Sequence, residues 1–202
     1  QKHEIEITQA LQILDKVGVK YTVVPLNQSL GFLADSALLQ TKGDVSEINK
    51  YGLPSSFVPG RNGIFLYNAF VYALKVGADA IVTGVCQTDY SGYPDCRREF
   101  INLLLDAMKA GVFGEKRHEQ GVCDLTIETP LMYLTKAETF KLAKDEGCFD
   151  EVINLSHTCY NGKRLFLHPW GWSSESGLSS SFCPACELRK KGYEEAKTLN
   201  YI

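Results

Sequence analysis

An apolar, β-branched run, Ala80-Ile81-Val82, stops abruptly at Thr83-Gly84. A short run without polar alternation fits a strand of a parallel sheet covered on both faces. In α/β folds, ligands gather at the carboxyl ends of such strands. The loop beyond this strand is dense in chemistry: Asp89, Tyr90, Ser91, Gly92, Tyr93, Pro94, Asp95, Cys96 and Arg97 supply two carboxylates, two phenols, a hydroxyl, a thiol and a guanidinium. The alternative is a polar turn leading into a helix, with Pro94 near its first position and Asp95 in its first turn.

The flanking sequence supports an α/β reading. Ile5, Ala10, Leu11, Leu14 and Val17 recur at helical spacing, Gly18 closes that helix, and Val19 to Pro25 read as a strand by β-branched and aromatic content. Helix, glycine, strand is the second half of a βαβ unit, so the chain is expected to begin inside a fold. Asn27 to Ser56 form a long polar excursion with a helical turn expected around Leu33 to Leu39. Gly63 to Gly77 are apolar on nearly every side, which predicts a central buried helix, and Arg61 before it could present a charge to an anion or pair with a carboxylate. Arg97 to Ala110 form an amphipathic helix, Gly111 to Cys123 a polar loop, and Leu125 to Met132 a strand stopped at Pro130. Thr135 with Glu138 three residues later is a capping box for a helix reaching Gly147. Lys136 lies in its first turn, where the helix dipole disfavours a cation unless an anion is near.

Composition narrows the function. At 202 residues, with 45% hydrophobic and 22% charged residues, the chain can bury one sizeable core. A net charge of −3 leaves no basic surplus for coating nucleic acid. No apolar run reaches the ~20 residues of a membrane span and no signal peptide is visible, so a soluble cytoplasmic chain is expected. Seven cysteines scattered over separate elements are not a disulfide framework. Cys183 and Cys186 have C-x-x-C spacing, with Cys159 a plausible third thiolate; a zinc knuckle, a redox pair and unrelated buried thiols are all open on spacing alone.

Six blocks taken together carry more than spacing: SFVPGRN (Ser56 to Asn62), TGV with DYSGYPDCR (Thr83 to Val85, Asp89 to Arg97), ETPLM (Glu128 to Met132), KAE (Lys136 to Glu138), TCYNG (Thr158 to Gly162) and CPACELR (Cys183 to Arg189). In this order they resemble the 7-cyano-7-deazaguanine synthase family along nearly the whole chain. The resemblance implies a Rossmann-like parallel α/β sheet of the adenine nucleotide alpha hydrolase or ATP pyrophosphatase type over residues 1–155, and a zinc-binding knuckle over 156–202. It implies a carbon–nitrogen ligase that converts 7-carboxy-7-deazaguanine and ammonia to the nitrile with ATP, magnesium accompanying ATP, in a homodimer serving queuosine or related deazapurine biosynthesis, with no direct nucleic-acid or membrane partner. By position, Arg61, Asn62, Thr83 and Gly84 resemble nucleotide contacts. Gln1, His3, Asp89, Tyr90, Ser91, Tyr93, Asp95 and Arg97 resemble the deazaguanine site, with Asp95, Arg97 and Lys136 in the catalytic roles.

Two departures shape the expectations. The family's Ser-Gly-Gly-x-Asp-Ser phosphate loop is not in these residues, so the chain as given is expected not to adenylate. The family's fourth cysteine is replaced by Ser180 and preceded by an insertion, Leu165 to Ser180. His168 on that insertion is the expected fourth zinc donor, His157 the runner-up, and a metal-free knuckle packed by Phe182, Trp170 and Trp172 the alternative. Two other functions stay open: a paralogue joining the activated carboxylate to another amine, and a nucleobase-binding protein without turnover.

Overall fold

The computed structural model describes residues 4–26, 47–49, 52–87, 92–177 and 182–202. They belong to two compact units: Gln1–Val58 with Thr135–Ile202, and Pro59–Leu134. The boundary expected at residue 155 runs through the first unit. The expected turn at Leu33 to Leu39, and the site candidates Gln1, His3, Asp89, Tyr90, Ser91 and Ser180, lie outside the described residues.

The second unit is the α/β part. Helix α1 belongs to the first unit, at Glu4–Val17; α2 spans Arg61–Val76, β1 Ala80–Val82, α3 Arg98–Phe113 and β2 Thr126–Glu128. Strands β1 and β2 pair in parallel with Ile81 opposite Ile127, and Thr83 N–H extends the ladder to the Glu128 carbonyl at 3.0 Å. Parallel pairing requires a crossover, and α3 occupies that connection. Leu66, Phe70, Ala73, Ile81, Ile101, Met108, Leu125, Ile127 and Met132 make the core, with Phe70 and Ile101 fully buried. Strand β1 ends at Val82, where the apolar run stops. Two expectations are corrected here. Helix α2 is buried only through Leu66, Phe70 and Ala73, while Phe65, Tyr67, Val71 and Tyr72 are exposed. The polar loop after α3 contains a 3-10 turn at Gly114–His118.

In the first unit, α1 is followed by Val19 to Val24, which form no strand; Val19, Tyr21, Val23 and Val24 are exposed. β-propensity reports fitness for a ladder, and no described segment supplies one there. The C-terminal part holds α4 at Lys136–Asp145, α5 at Phe149–Asn154, an antiparallel hairpin of β3 (Phe166–His168) with β4 (Gly171–Ser173), and α6 at Pro184–Thr198. Residues 166–173 of the insertion thus form a hairpin. Its Trp172 indole N–H donates to the Asn154 carbonyl at 2.9 Å, and Arg164 donates to the carbonyls of Asn154 and Leu155 while lying over the Trp172 ring. These bonds satisfy carbonyls left open at the end of α5. No described helix is long and apolar enough to cross a membrane.

Helix α4 starts as expected. Thr135 Oγ1 accepts from Glu138 N–H at 3.2 Å, and Glu138 accepts from Thr135 N–H at 2.7 Å. Helix α6 lies on its first turn along a seam of small residues, Ala137, Gly192 and Ala196, all buried. A Cβ at Gly192 would overlap Lys136 Cβ and sit 3.1 Å from the Lys136 carbonyl carbon. Gly192→Ala gains about 1 kcal/mol of helix propensity, but overpacking against backbone typically costs about 1–3 kcal/mol. Urea unfolding should therefore show a net loss of stability; an unchanged midpoint would mean that α4 yields freely.

Candidate functional site

Two groups of residues carry chemistry, one in each unit. In the second unit, Pro94–Cys96 form a 3-10 turn ahead of α3, with Pro94 at its first position. The turn buries Tyr93 and Asp95. Asp95 Oδ2 accepts from the backbone N–H of Asn62 at 3.4 Å, and the Asn62 amide donates to the Asp95 carbonyl at 3.4 Å and to Cys96 Sγ at 3.2 Å. Helix α2 has no side-chain cap of its own, its N-cap being Gly60. Asp95 therefore serves an orphan N–H of that helix from a distant part of the chain. Burial pushes the Asp95 carboxyl up; the Asn62 N–H and the Arg61 charge oppose this without cancelling it.

The structure thus brings Arg61, Asn62 and Asp95 together. Arg97 stands exposed at the start of α3, and Thr83 and Gly84 follow β1. A Cβ on Gly84 would meet only Leu131, at 3.9 Å, so the surrounding protein does not require glycine there. Lys136 belongs to the other unit, half-buried in the first turn of α4. One residue not singled out in the sequence is Arg98, which donates to Thr129 Oγ1 and to the Ile127 carbonyl, joining the start of α3 to the end of β2.

The other group is a thiol cluster. Cys159, Cys183 and Cys186 are buried, with their sulfurs all within 4.8 Å of one another. Tetrahedral zinc at about 2.3 Å from each sulfur would set them roughly 3.8 Å apart, so the three residues fit a zinc ion. The cluster packs with Trp170 and, less deeply buried, Tyr160, Phe182, Ala185 and Tyr193. Ser174 Oγ lies 3.3 Å from Cys159 Sγ and accepts from the Asn161 amide at 3.1 Å, leaving its own proton free to point at the sulfur. The S–H groups of Cys183 and Cys186 hold the Cys159 thiol far below its usual range, and both donors are pushed up, by that bond first and by burial.

His168 does not join the cluster. Its Nε2 is 2.9 Å from Ser173 Oγ and 3.0 Å from the Glu175 carbonyl, and its ring stacks on Trp170 at 4.6 Å. The hairpin that carries His168 uses it for its own folding. His157 is also outside the set: Nε2–H donates to the Cys159 carbonyl at 2.9 Å, while Nδ1 is buried with no hydrogen-bond partner among the described residues. Burial holds this imidazole below its usual range.

A parallel strand pair with a carboxylate, an amide and a guanidinium near its carboxyl end, accompanied by a buried three-thiol cluster, defines an α/β protein with a candidate metal centre. Comparison with known proteins is more specific. The family model described as "Queuosine biosynthesis protein QueC" matches residues 1–197, and the chain belongs to that family. It is 40% identical over 202 residues to the 7-cyano-7-deazaguanine synthase of Helicobacter pylori strain J99, covering 98% of this chain and 83% of that protein. The protein of the same name from Wolinella succinogenes is 40% identical over 198 residues, with 96% and 78% covered. That of Caulobacter sp. strain K31 is 41% identical over 208 residues, with 96% and 76% covered.

Two outcomes are expected of the titrating groups. Because its folded pKa is raised, protonated Asp95 is the form that favours the fold, and this contribution is lost as pH rises through the raised value. Asp95→Asn should therefore raise the thermal midpoint at neutral pH, with the difference closing as pH falls into the carboxylate range; a lower midpoint at neutral pH would overturn this. In the thiol cluster, a bound zinc ion would replace thiol protons. Calorimetry in buffers of different ionisation enthalpy should show proton release on zinc binding near neutral pH, and none if the thiols do not ligate.

Proposed function

We propose that this chain belongs to an enzyme that makes 7-cyano-7-deazaguanine from 7-carboxy-7-deazaguanine, ammonia and ATP, a step toward queuosine. The observation that carries the reading is the family match over residues 1–197, which includes the blocks holding Asp95, Lys136 and the three cysteines. Relatives at about 40% identity bear the synthase name.

A carboxylate is a poor electrophile. In the proposed reaction its oxygen attacks the α-phosphorus of ATP, pyrophosphate leaves, and an acyl adenylate forms. Ammonia then displaces AMP to give the amide. A second ATP then adenylates the amide oxygen with loss of pyrophosphate, and the C–O bond breaks with AMP carrying the oxygen away while two N–H protons are lost, leaving the nitrile. Arg61 and Asn62 at the α2 N-terminus, with Thr83 and Gly84 after β1, are the proposed nucleotide contacts, a helix N-terminus being suited to phosphate. Asp89, Tyr90, Ser91, Tyr93, Asp95 and Arg97, with Gln1 and His3, are the proposed deazaguanine site, where a buried carboxylate accepts N–H groups of the base edge. Lys136 is the proposed cation for the substrate carboxylate or phosphate, and magnesium would accompany ATP. Zinc on Cys159, Cys183 and Cys186 would hold the knuckle. A cytoplasmic homodimer completes the proposal; sedimentation as a monomer at micromolar concentration would count against it.

The test is mass spectrometry of the products that the full-length protein, phosphate loop included, forms from ATP and 7-carboxy-7-deazaguanine with ammonia, and separately with other amines. Nitrile from ammonia supports the proposal, whereas an amide formed only with another amine assigns a different acceptor. Asp95→Ala should weaken base binding by about 1–3 kcal/mol in calorimetry, the cost of a lost buried hydrogen bond. Unchanged affinity would confine Asp95 to its role at the α2 N-terminus.

A further inference from the structure

Arg189 is the most deeply placed cation among the described residues, at 6% exposure. Three residues after Cys186 on α6, it shares that helix face. Its Nε donates to the Trp170 carbonyl at 2.5 Å, one terminal nitrogen to Ser156 Oγ at 2.9 Å and Thr158 Oγ1 at 2.7 Å, and the other to the Val152 carbonyl at 2.7 Å. Every one of these partners is neutral, and no carboxylate of the described residues lies within salt-bridge distance of it. Space for the guanidinium is made by Gly171, where a Cβ would fall 2.7 Å from a terminal nitrogen and 2.8 Å from Cζ. Burial brings the group down to about 10, which still leaves it charged at neutral pH.

A buried cation without an anion costs several kcal/mol. A source of negative charge begins on the same helix: the thiol cluster shares α6 and Trp170 with Arg189. Three thiolates on a divalent ion carry one negative charge in sum, and one guanidinium neutralises it. We propose that Arg189 is the counter-charge of a three-thiolate metal centre, a positioning residue that sets metal affinity through its charge without touching the metal. This rests on the metal reading of the three cysteines. A fourth thiolate would leave the pair one charge short of neutral, so a neutral donor in the fourth position suits this arrangement.

The competing role is that of a bolt, tying α5, the loop before Cys159 and the hairpin by hydrogen bonds alone. Charge and fork geometry separate in Arg189→Lys and Arg189→Met, both of which lose the fork while only lysine keeps the charge. Zinc affinity is measured by competition with a chromophoric chelator, and cobalt(II) spectra report whether thiolate ligation persists. The parent should hold about one equivalent. Arg189→Lys should stay within about threefold of it, and Arg189→Met should lose about 10–100-fold, the range for partners behind metal ligands. Thiolate-to-cobalt bands should remain in both. No metal in the parent defeats the metal reading itself. Metal in the parent with equal losses in the two variants, or none in Arg189→Met, overturns the counter-charge and leaves the metal reading standing. Should Arg189→Met not fold, Arg189→Gln replaces it. Folding and loading by the lysine variant while neither neutral variant folds upholds the role of charge, and failure of all three overturns it.

Discussion

Backbone touches backbone where α6 crosses the first turn of α4, and most of the first unit depends on that approach. Ala137, Gly192 and Ala196 leave too little side chain to hold the helices apart. The capping box fixes the start of α4 on one side of the seam, and the thiol cluster sits at the start of α6 on the other. Lys136 is therefore positioned by the same helix that carries Cys186 and Arg189. Anything that reorients α6 about its N-terminal cysteines is transmitted to Lys136 through contacts that cannot compress.

Asp95 is held on different terms. Its carboxylate occupies a place where burial penalises the charge, while the Asn62 N–H donates to it and the Arg61 charge favours its ionised form. A carboxylate perturbed by burial beside an opposing charge is a candidate functional group.

Features encoded locally were legible in the sequence. The capping box depends on residues three apart, the Pro94 turn on its own ring, and the Cys183–Cys186 pair on one helical turn; all three stand where the pattern put them. The core of β1 and β2 was legible because β-branched runs of that length have few other uses. Val19 to Val24 had the composition of a strand, but a strand needs a neighbour, and composition says nothing of one. Helix α2 misled because its two faces are equally apolar, so periodicity could not tell the covered side from the open one. His168 was a reasonable donor by residue type; a hydroxyl and a carbonyl of its own hairpin had already taken its ring nitrogen. Arg189 went unassigned although its i+3 offset from Cys186 placed it on the ligand face, because its neutral partners come from α5, the loop before Cys159 and the hairpin, which only the tertiary structure gathers.

The two units differ in how the chain is threaded through them. The second is one continuous segment, Pro59–Leu134, whereas the first is assembled from stretches on either side of it. On the ribosome, the continuous unit can collapse as soon as its last strand has emerged, since all its partners are already made. The first unit must wait for α4 to α6, and α1 spends that interval without them. Closing it also means bringing together segments separated by the whole of residues 59–134, an entropic cost that grows only slowly with the length between them and is smaller when the intervening chain is already compact. The order of synthesis thus favours completing the parallel strand pair first and the thiol cluster last.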